Sequence, residues 1–250
     1  MSGLARFVEI LRLFDEQKSD WTIQEMAEAV KVPASTVYRT VRELVAQSFL
    51  DPSKEGYYRL GAAFIEFDRR LRLADPLIRH GSAIIQDLVG SLQQPCVAVV
   101  ARLYRDQVIC VADARSTGAT ILTSYERGRP MPLVRGATSK AILSQLSKPK
   151  LRKVIGGAVS DDRSFDGVAA ELSAIRKRGY SITRGEVDTG LVGISVPVAN
   201  SDAAITASLS LILSAGDLDE TIERRLLMTI LPAATMLAEK LNDGVPNKAV

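Results

Sequence analysis

The sequence predicts an α+β protein in two parts: a small N-terminal bundle of short helices closed by a hairpin, and a larger C-terminal unit of hairpin-connected strands flanked by helices. Three observations carry that prediction. Apolar residues recur every three or four positions across Leu4–Ala46. β-Branched runs take over at Cys96–Tyr104, Val108–Ala112 and Ile205–Leu213. Helical periodicity then returns at Glu220–Leu241.

The length of 250 residues exceeds the usual span of one domain, so two are expected. With 46% hydrophobic and 24% charged residues the composition is that of a globular chain. No apolar run approaches the roughly 18 residues that cross a bilayer, so no membrane partner is expected. The N-terminal residues lack the basic, apolar and small-residue regions of an export signal, which predicts a cytoplasmic location. Cys96 and Cys110 sit inside β-branched runs and are expected to be buried, reduced thiols. With His80 as the lone histidine, neither a metal site nor a nucleophile–histidine pair can be assembled, and no glycine-rich phosphate loop is present. No metal, no cofactor and no catalysis are expected.

Leu4, Phe7, Val8, Leu11 and Phe14 form one stripe of a first helix. Thr22-Ile23-Gln24-Glu25 spells a capping box, so a second helix starts near Ile23 and turns Met26, Ala27 and Val30 inward. A short Lys31-Val32 connection leads to Pro33, suited to the first turn of a third helix reaching Ala46. Val37, Val41, Leu44 and Val45 make its apolar stripe, which leaves Ser35, Thr36, Tyr38, Arg39 and Arg42 on other faces. Two helices joined by a tight turn, the second rich in hydrogen-bonding side chains, fit a recognition helix for the major groove. Phe49-Leu50-Asp51 and Tyr57-Tyr58-Arg59-Leu60 then flank a Pro- and Gly-punctuated turn, a hairpin with Lys54 at its tip. A hairpin there is the wing of a winged helix-turn-helix, and Lys54 is placed to touch the DNA backbone.

Charge follows that layout, although the net charge of the whole chain is only +3. Up to Val30 three basic residues (Arg6, Arg12, Lys18) face six acidic ones (Glu9, Asp15, Glu16, Asp20, Glu25, Glu28), a balance of −3. From Lys31 to Arg59 five basic residues (Lys31, Arg39, Arg42, Lys54, Arg59) face three acidic ones (Glu43, Asp51, Glu55), a balance of +2. The basic balance coincides with the elements expected to meet DNA.

In the C-terminal part a helix is expected over Pro76–Gln93. Strands follow at Cys96–Tyr104, Val108–Ala112 and Thr120–Tyr125, then a helix at Leu172–Arg178, strands at Gly193–Val198 and Ile205–Leu213, and a closing helix. Ser147-Lys148-Pro149-Lys150 reads as a surface turn.

Several segments together resemble the IclR family of bacterial regulators. They are Ile23-Gln24-Glu25-Met26-Ala27, Val32-Pro33-Ala34-Ser35-Thr36-Val37-Tyr38-Arg39 and Tyr57-Tyr58-Arg59-Leu60-Gly61 in the first part. In the second part they are Gly128–Leu133, Gly136-Ala137-Thr138-Ser139-Lys140-Ala141-Ile142-Leu143, Gly190–Val198 and Ala207–Leu211. Arg135 before the Gly136 segment and Ile212 after Ser210 depart from the family pattern. The resemblance implies a winged helix-turn-helix over 1–61, a linker helix over 62–75 and an effector-binding domain over 76–250 with a GAF/PAS-like mixed sheet. It also implies double-stranded operator DNA as partner, read through Ser35, Thr36, Tyr38, Arg39, Arg42 and Lys54 by a homodimer or dimer of dimers.

The effector pocket is placed by resemblance among Thr120, Thr123, Arg135, Gly136, Ala137, Thr138, Leu191, Gly193 and Ser210. A small organic acid, in particular an aromatic one, is the expected effector. Its carboxylate would meet unpaired amides at the start of the Ala137–Leu143 helix, with ring space beside Gly193 and Ala137. The competing function is a small-molecule or protein-interaction module whose winged helix does not bind DNA.

Overall fold

A computed structural model describes residues 3–156, 165–200 and 205–242. The chain divides into two compact units, Met1–Ala74 and Asp75–Val250.

In the first unit helix α1 (Gly3–Leu11), strand β1 (Trp21–Thr22), helices α2 (Ile23–Val30) and α3 (Ala34–Ala46), strands β2 (Leu50–Pro52) and β3 (Tyr57–Leu60) and helix α4 (Ala63–Ala74) follow in order. The capping box at the start of α2 is formed: the Thr22 hydroxyl accepts from the Glu25 amide, and the Glu25 carboxylate accepts from the Thr22 amide. Lys18 donates to the same carboxylate at 2.7 Å. That bond, then those from Thr22, hold the Glu25 carboxyl down at about 2.

The core of this unit is Ile10, Met26, Ala27, Val37, Val41, Leu44 and Leu50. Ile10, not Leu4, is the fully buried residue of α1; Leu4 is 73% exposed and Phe14 lies beyond the helix. The expected stripe is therefore rotated by part of a turn, because Ile10 belongs to the same half of the helical wheel. Pro33 caps α3 from just outside it. Strand β1, too short to carry a period, adds a third strand by pairing with β3 in the order β1-β3-β2.

Gly61 fixes how the wing runs into α4. A Cβ there would lie 2.3 Å from the Ser48 carbonyl oxygen, which also accepts the Ala63 amide at 2.9 Å. Phe49 packs edge-on to Phe64 and stacks on Phe67, joining α4 to the wing side of the bundle.

The second unit is a six-stranded sheet in the order β6-β5-β4-β9-β8-β7. Its strands are β4 (Val97–Tyr104), β5 (Gln107–Arg115), β6 (Pro130–Met131), β7 (Ser181–Arg184), β8 (Leu191–Asn200) and β9 (Ile205–Ser214). Every pairing among them is antiparallel, so the mixed sheet expected from the sequence narrows to an antiparallel one. The period-2 alternation sends Ala98, Val100, Ile194, Val196, Leu209 and Leu211 to a core shared with α5 (Pro76–Ser91) and α9 (Glu220–Asn242). Val97, Val99, Ala101, Cys110 and Ile212 face a second core under α6 (Ala137–Leu143), α7 (Lys148–Ile155) and α8 (Phe165–Arg178). Both thiols are buried, and burial pushes Cys110 up to about 12.

Three expectations change. Thr120–Tyr125 is not a strand; its polar groups are spent on Asp188 and on Thr123 itself, and the sheet edge is β6 instead. Ser147–Lys150 opens helix α7, with Pro149 in the first turn, where a missing amide costs nothing. Strand β7, only four residues long, joins the sheet edge unanticipated.

Candidate DNA-binding and effector sites

Helix α3 turns Val37, Thr40, Val41 and Leu44 into the core of the first unit. Thr40, inside this apolar face, donates to the Thr36 carbonyl and receives Arg6 Nε at 3.1 Å, so it is a core polar group with both roles filled. The opposite face presents Ser35, Tyr38, Arg39 and Arg42, all exposed and within about two turns of one another; Thr36 is half-buried at the margin. Lys54 is exposed in the β2–β3 turn, its ammonium 4.2 Å from the centre of the Tyr57 ring. The fold thus groups four of the six expected DNA contacts on one helix face and sets Lys54 on the wing.

The second unit holds a cavity of about 20 Å³, room for roughly one water. It is lined by Gly136, Ala137, Thr138, Leu191 and Gly193, all anticipated, and by Tyr125, Thr183, Glu186 and Asp188, which were not. The other anticipated residues stand elsewhere. Thr120 is exposed in the loop before Tyr125. Thr123 is buried but spends its hydroxyl on Asp188 at 2.8 Å. Arg135 is exposed and donates to the Glu186 backbone carbonyl. Ser210 lies behind Thr138, 3.0 Å from its hydroxyl, in a buried cluster with Ser195.

Two further corrections concern the imagined ligand. The Gly136 and Ala137 amides are not unpaired: Gly136 N–H donates to Glu186 Oε2 and Ala137 N–H to Thr183 Oγ1, each at 2.9 Å. The small residues do not hold open ring space either. A Cβ on Gly193 would sit 3.2 Å from the Ala137 Cβ, so these two let α6 and β8 pack against each other.

Behind the cavity wall, bonded to Glu186 and not itself part of the lining, is Lys140, with only 4% of its side chain exposed. Its ammonium donates to Glu171 Oε1 and Glu186 Oε1, both at 2.6 Å. A buried cation is tolerated only when paired, and here each neighbour is a partly exposed carboxylate. Asp188 latches the same loop from its other side, accepting from Thr123 Oγ1, Ser124 Oγ and the Ser124 amide. Burial works to raise the Asp188 carboxyl, but the Ser124 and Thr123 bonds, with Arg129 nearby, outweigh it and hold it below its ordinary value. Tyr125 is pushed up to about 12 by burial and keeps its proton on the cavity wall.

Lys140 stood in the quoted Gly136–Leu143 segment without a role; its one sequence signal is a lone cation beside the apolar run Ala141-Ile142-Leu143. Glu186 and Asp188 lie in a loop with no periodicity to read.

Two family profiles match the chain: the IclR helix-turn-helix domain over residues 3–53 and the C-terminal region of the bacterial transcriptional regulator IclR over residues 77–239. The HTH-type transcriptional regulator KipR of Bacillus subtilis is 22% identical over 83% of this chain and 84% of its own. An IclR transcriptional regulator from Silicibacter sp. TM1040 superposes with a TM-score of 0.82 at 16% identity, covering 98% of each chain. An IclR homologue from Microbacterium hydrocarbonoxydans, solved in complex with 4-hydroxybenzoate, superposes with a TM-score of 0.75 at 20% identity, covering 97% of this chain and all of its own. The two profiles span most of both units, and the chain belongs to the IclR family of bacterial transcription regulators.

Proposed function

We propose that this regulator responds to a small organic acid, in particular an aromatic one, and binds operator DNA in the cytoplasm as a homodimer or dimer of dimers, with no catalytic step. One observation carries the acid: a carboxylate is already received in the sensor unit. Glu186 accepts from the Gly136 amide and from buried Lys140, beside the hydroxyls of Tyr125, Thr138 and Thr183. That donor set fits a carboxylate of any origin. The 4-hydroxybenzoate bound by the Microbacterium homologue agrees with an aromatic acid, whose phenol could pair with a hydroxyl-lined wall. Gly136, Ala137, Thr138, Leu191 and Gly193 are the anticipated residues that support the pocket, joined by Tyr125, with Lys140 reached through Glu186.

Base readout falls to Arg39 and Arg42, supported by Ser35, Thr36 and Tyr38, with Lys54 on phosphate. Assembly is supported by α4, where Ile65 is 75% and Leu71 52% exposed on a helix otherwise laced with surface ion pairs.

Calorimetric titration of the full chain with benzoate, 4-hydroxybenzoate and their amides tests the acid reading. The acids are expected to bind at least ~10-fold more tightly than the amides, the margin of roughly one charge-assisted hydrogen bond. Equal binding of acids and amides would exclude a carboxylate site.

A further inference from the structure

We infer that Glu186 is a built-in competitor for the effector, a carboxylate of the chain itself that occupies the acid's place on Lys140 and must leave before the acid can enter. The inference rests on the acid reading above and adds how that site is regulated.

The geometry favours exchange over simple addition. A carboxylate offers two oxygens, and Glu186 uses both, Oε1 on the Lys140 ammonium and Oε2 on the Gly136 amide. An incoming acid therefore finds its strongest donors already engaged. The cavity of about 20 Å³ has no room for a benzoate ring, so entry requires something to move outward. The Glu186 side chain is the element placed to do so: it lines the cavity yet is 27% exposed, so its carboxylate can regain water on leaving. Lys140, with 4% exposure, has no such route and stays. Lys140, itself not part of the cavity lining, keeps its bond to Glu171 during the exchange, so the buried cation is never left bare.

The loop carrying Glu186 is built to transmit the exchange. It runs between β7 and β8 from Gly185 to Gly190, and both glycines hold left-handed backbone, φ 64° and 80°. Besides the backbone bonds at its ends, from Gly185 N–H to the Leu191 carbonyl, from Leu191 N–H to the Asp188 carbonyl and from Ala215 N–H to the Gly190 carbonyl, it is tied down by Glu186 to α6, the Glu186 carbonyl to Arg135, and Asp188 to Thr123 and Ser124. Releasing the Glu186 side chain from α6 leaves those other bonds in place, so the shift is local to Glu186 and Val187 between the pinned ends. Val187 lines the cavity, its Cγ2 only 2.7 Å from where a Gly136 Cβ would be, so movement of this residue also enlarges the cavity. Effector affinity is then set partly by how well the acid outcompetes an internal carboxylate, which favours acids bringing additional contacts over the smallest ones.

The test uses the full-length chain, with Glu186→Gln and the control Glu220→Gln, both checked for folding by circular dichroism. Calorimetry with benzoate and 4-hydroxybenzoate is paired with hydrogen exchange. Glu186→Gln keeps the shape but loses the charge, and is expected to bind the acids roughly 10-fold or more tightly than the native chain. Glu220→Gln removes the same charge from the exposed start of α9, outside the cavity lining, and is expected to change affinity by about 3-fold or less. Without ligand, Glu186→Gln is expected to speed amide exchange in residues 185–190, and adding acid to the native chain should do the same. Glu186→Ala is expected to move both readouts in the same direction if the glutamine variant folds poorly. Unchanged or weaker acid binding by the Glu186 variants, with the native chain still binding, would overturn the competitor role and leave the acid reading standing. Equal tightening by Glu220→Gln would reduce the effect to general charge and overturn it too. If neither the native chain nor the variants bind acid, the acid reading itself falls, and this inference with it.

Discussion

Replacing Arg39 with alanine is expected to weaken operator binding by about 1–3 kcal/mol while the fold survives intact. Arg39 is exposed on α3, on the side away from Val37 and Val41, and among the described residues its guanidinium is tied to no partner within the chain. A guanidinium presents two parallel donors that match the O6 and N7 acceptors of guanine in the major groove. Arg39 is not part of the first unit's core, so the loss should appear in DNA affinity and base preference, not in stability. Lys54 gives the complementary case: as a point charge on the wing it should lower affinity evenly across sequences and reduce the salt slope by about one. Fluorescence anisotropy with a labelled duplex from upstream of the protein's own gene measures both. A folded Arg39→Ala protein that binds that duplex with native affinity and preference would remove α3 from the reading role.

Gly136→Ala is expected to be the most damaging single-methyl change in the sensor unit, costing about 2–4 kcal/mol from left-handed backbone and steric conflict together. Gly136 holds φ 83° and ψ 150°, a region open in practice only to glycine. The added Cβ would also lie 2.7 Å from the Tyr125 hydroxyl and 2.7 Å from Val187 Cγ2. Either the backbone shifts and drops the Glu186 bond, or Tyr125 leaves the cavity wall. Trp21, the lone tryptophan, lies in the first unit, so its fluorescence follows that unit while far-ultraviolet circular dichroism follows the whole chain. Urea unfolding of Gly136→Ala should bring the larger dichroism transition to lower denaturant and leave the Trp21 transition in place. Coincident native and variant curves would mean that the glycine is dispensable and that the close approach of Tyr125 relaxes freely.

What could be read from the sequence follows the physics of each segment. The first unit was legible because its signals are local: a capping box needs only four residues, and a recognition helix declares itself by polar side chains opposite an apolar stripe. The strands of the sensor core were legible for the same reason, since period-2 runs such as Val97–Ala101 and Ala207–Leu211 alternate between two buried faces. Thr120–Tyr125 misled because its β-branched residues look like a strand, while a carboxylate 64 residues away in the chain captures the Ser124 amide. The candidate cavity was half legible. Gly136, Ala137, Thr138, Leu191 and Gly193 came through resemblance, but their meaning changed once α6 met β8 and the small residues proved to be contact surfaces. Glu186, Asp188 and Tyr125 could not be placed, because each owes its role to a partner far along the chain. A buried lysine is itself a hint that carboxylates must be near; which ones only the fold decides.

The most direct test of an effector-responsive operator-binding protein is a titration of full-length chain onto its upstream DNA at several salt concentrations, with and without 4-hydroxybenzoate. The account predicts binding stronger than to unrelated DNA, an affinity that falls log-linearly with salt, and a shift of roughly 5-fold or more when the acid is added. Binding no stronger than to unrelated DNA at every salt concentration, with or without acid, would contradict it and leave a sensor whose winged helix serves another partner.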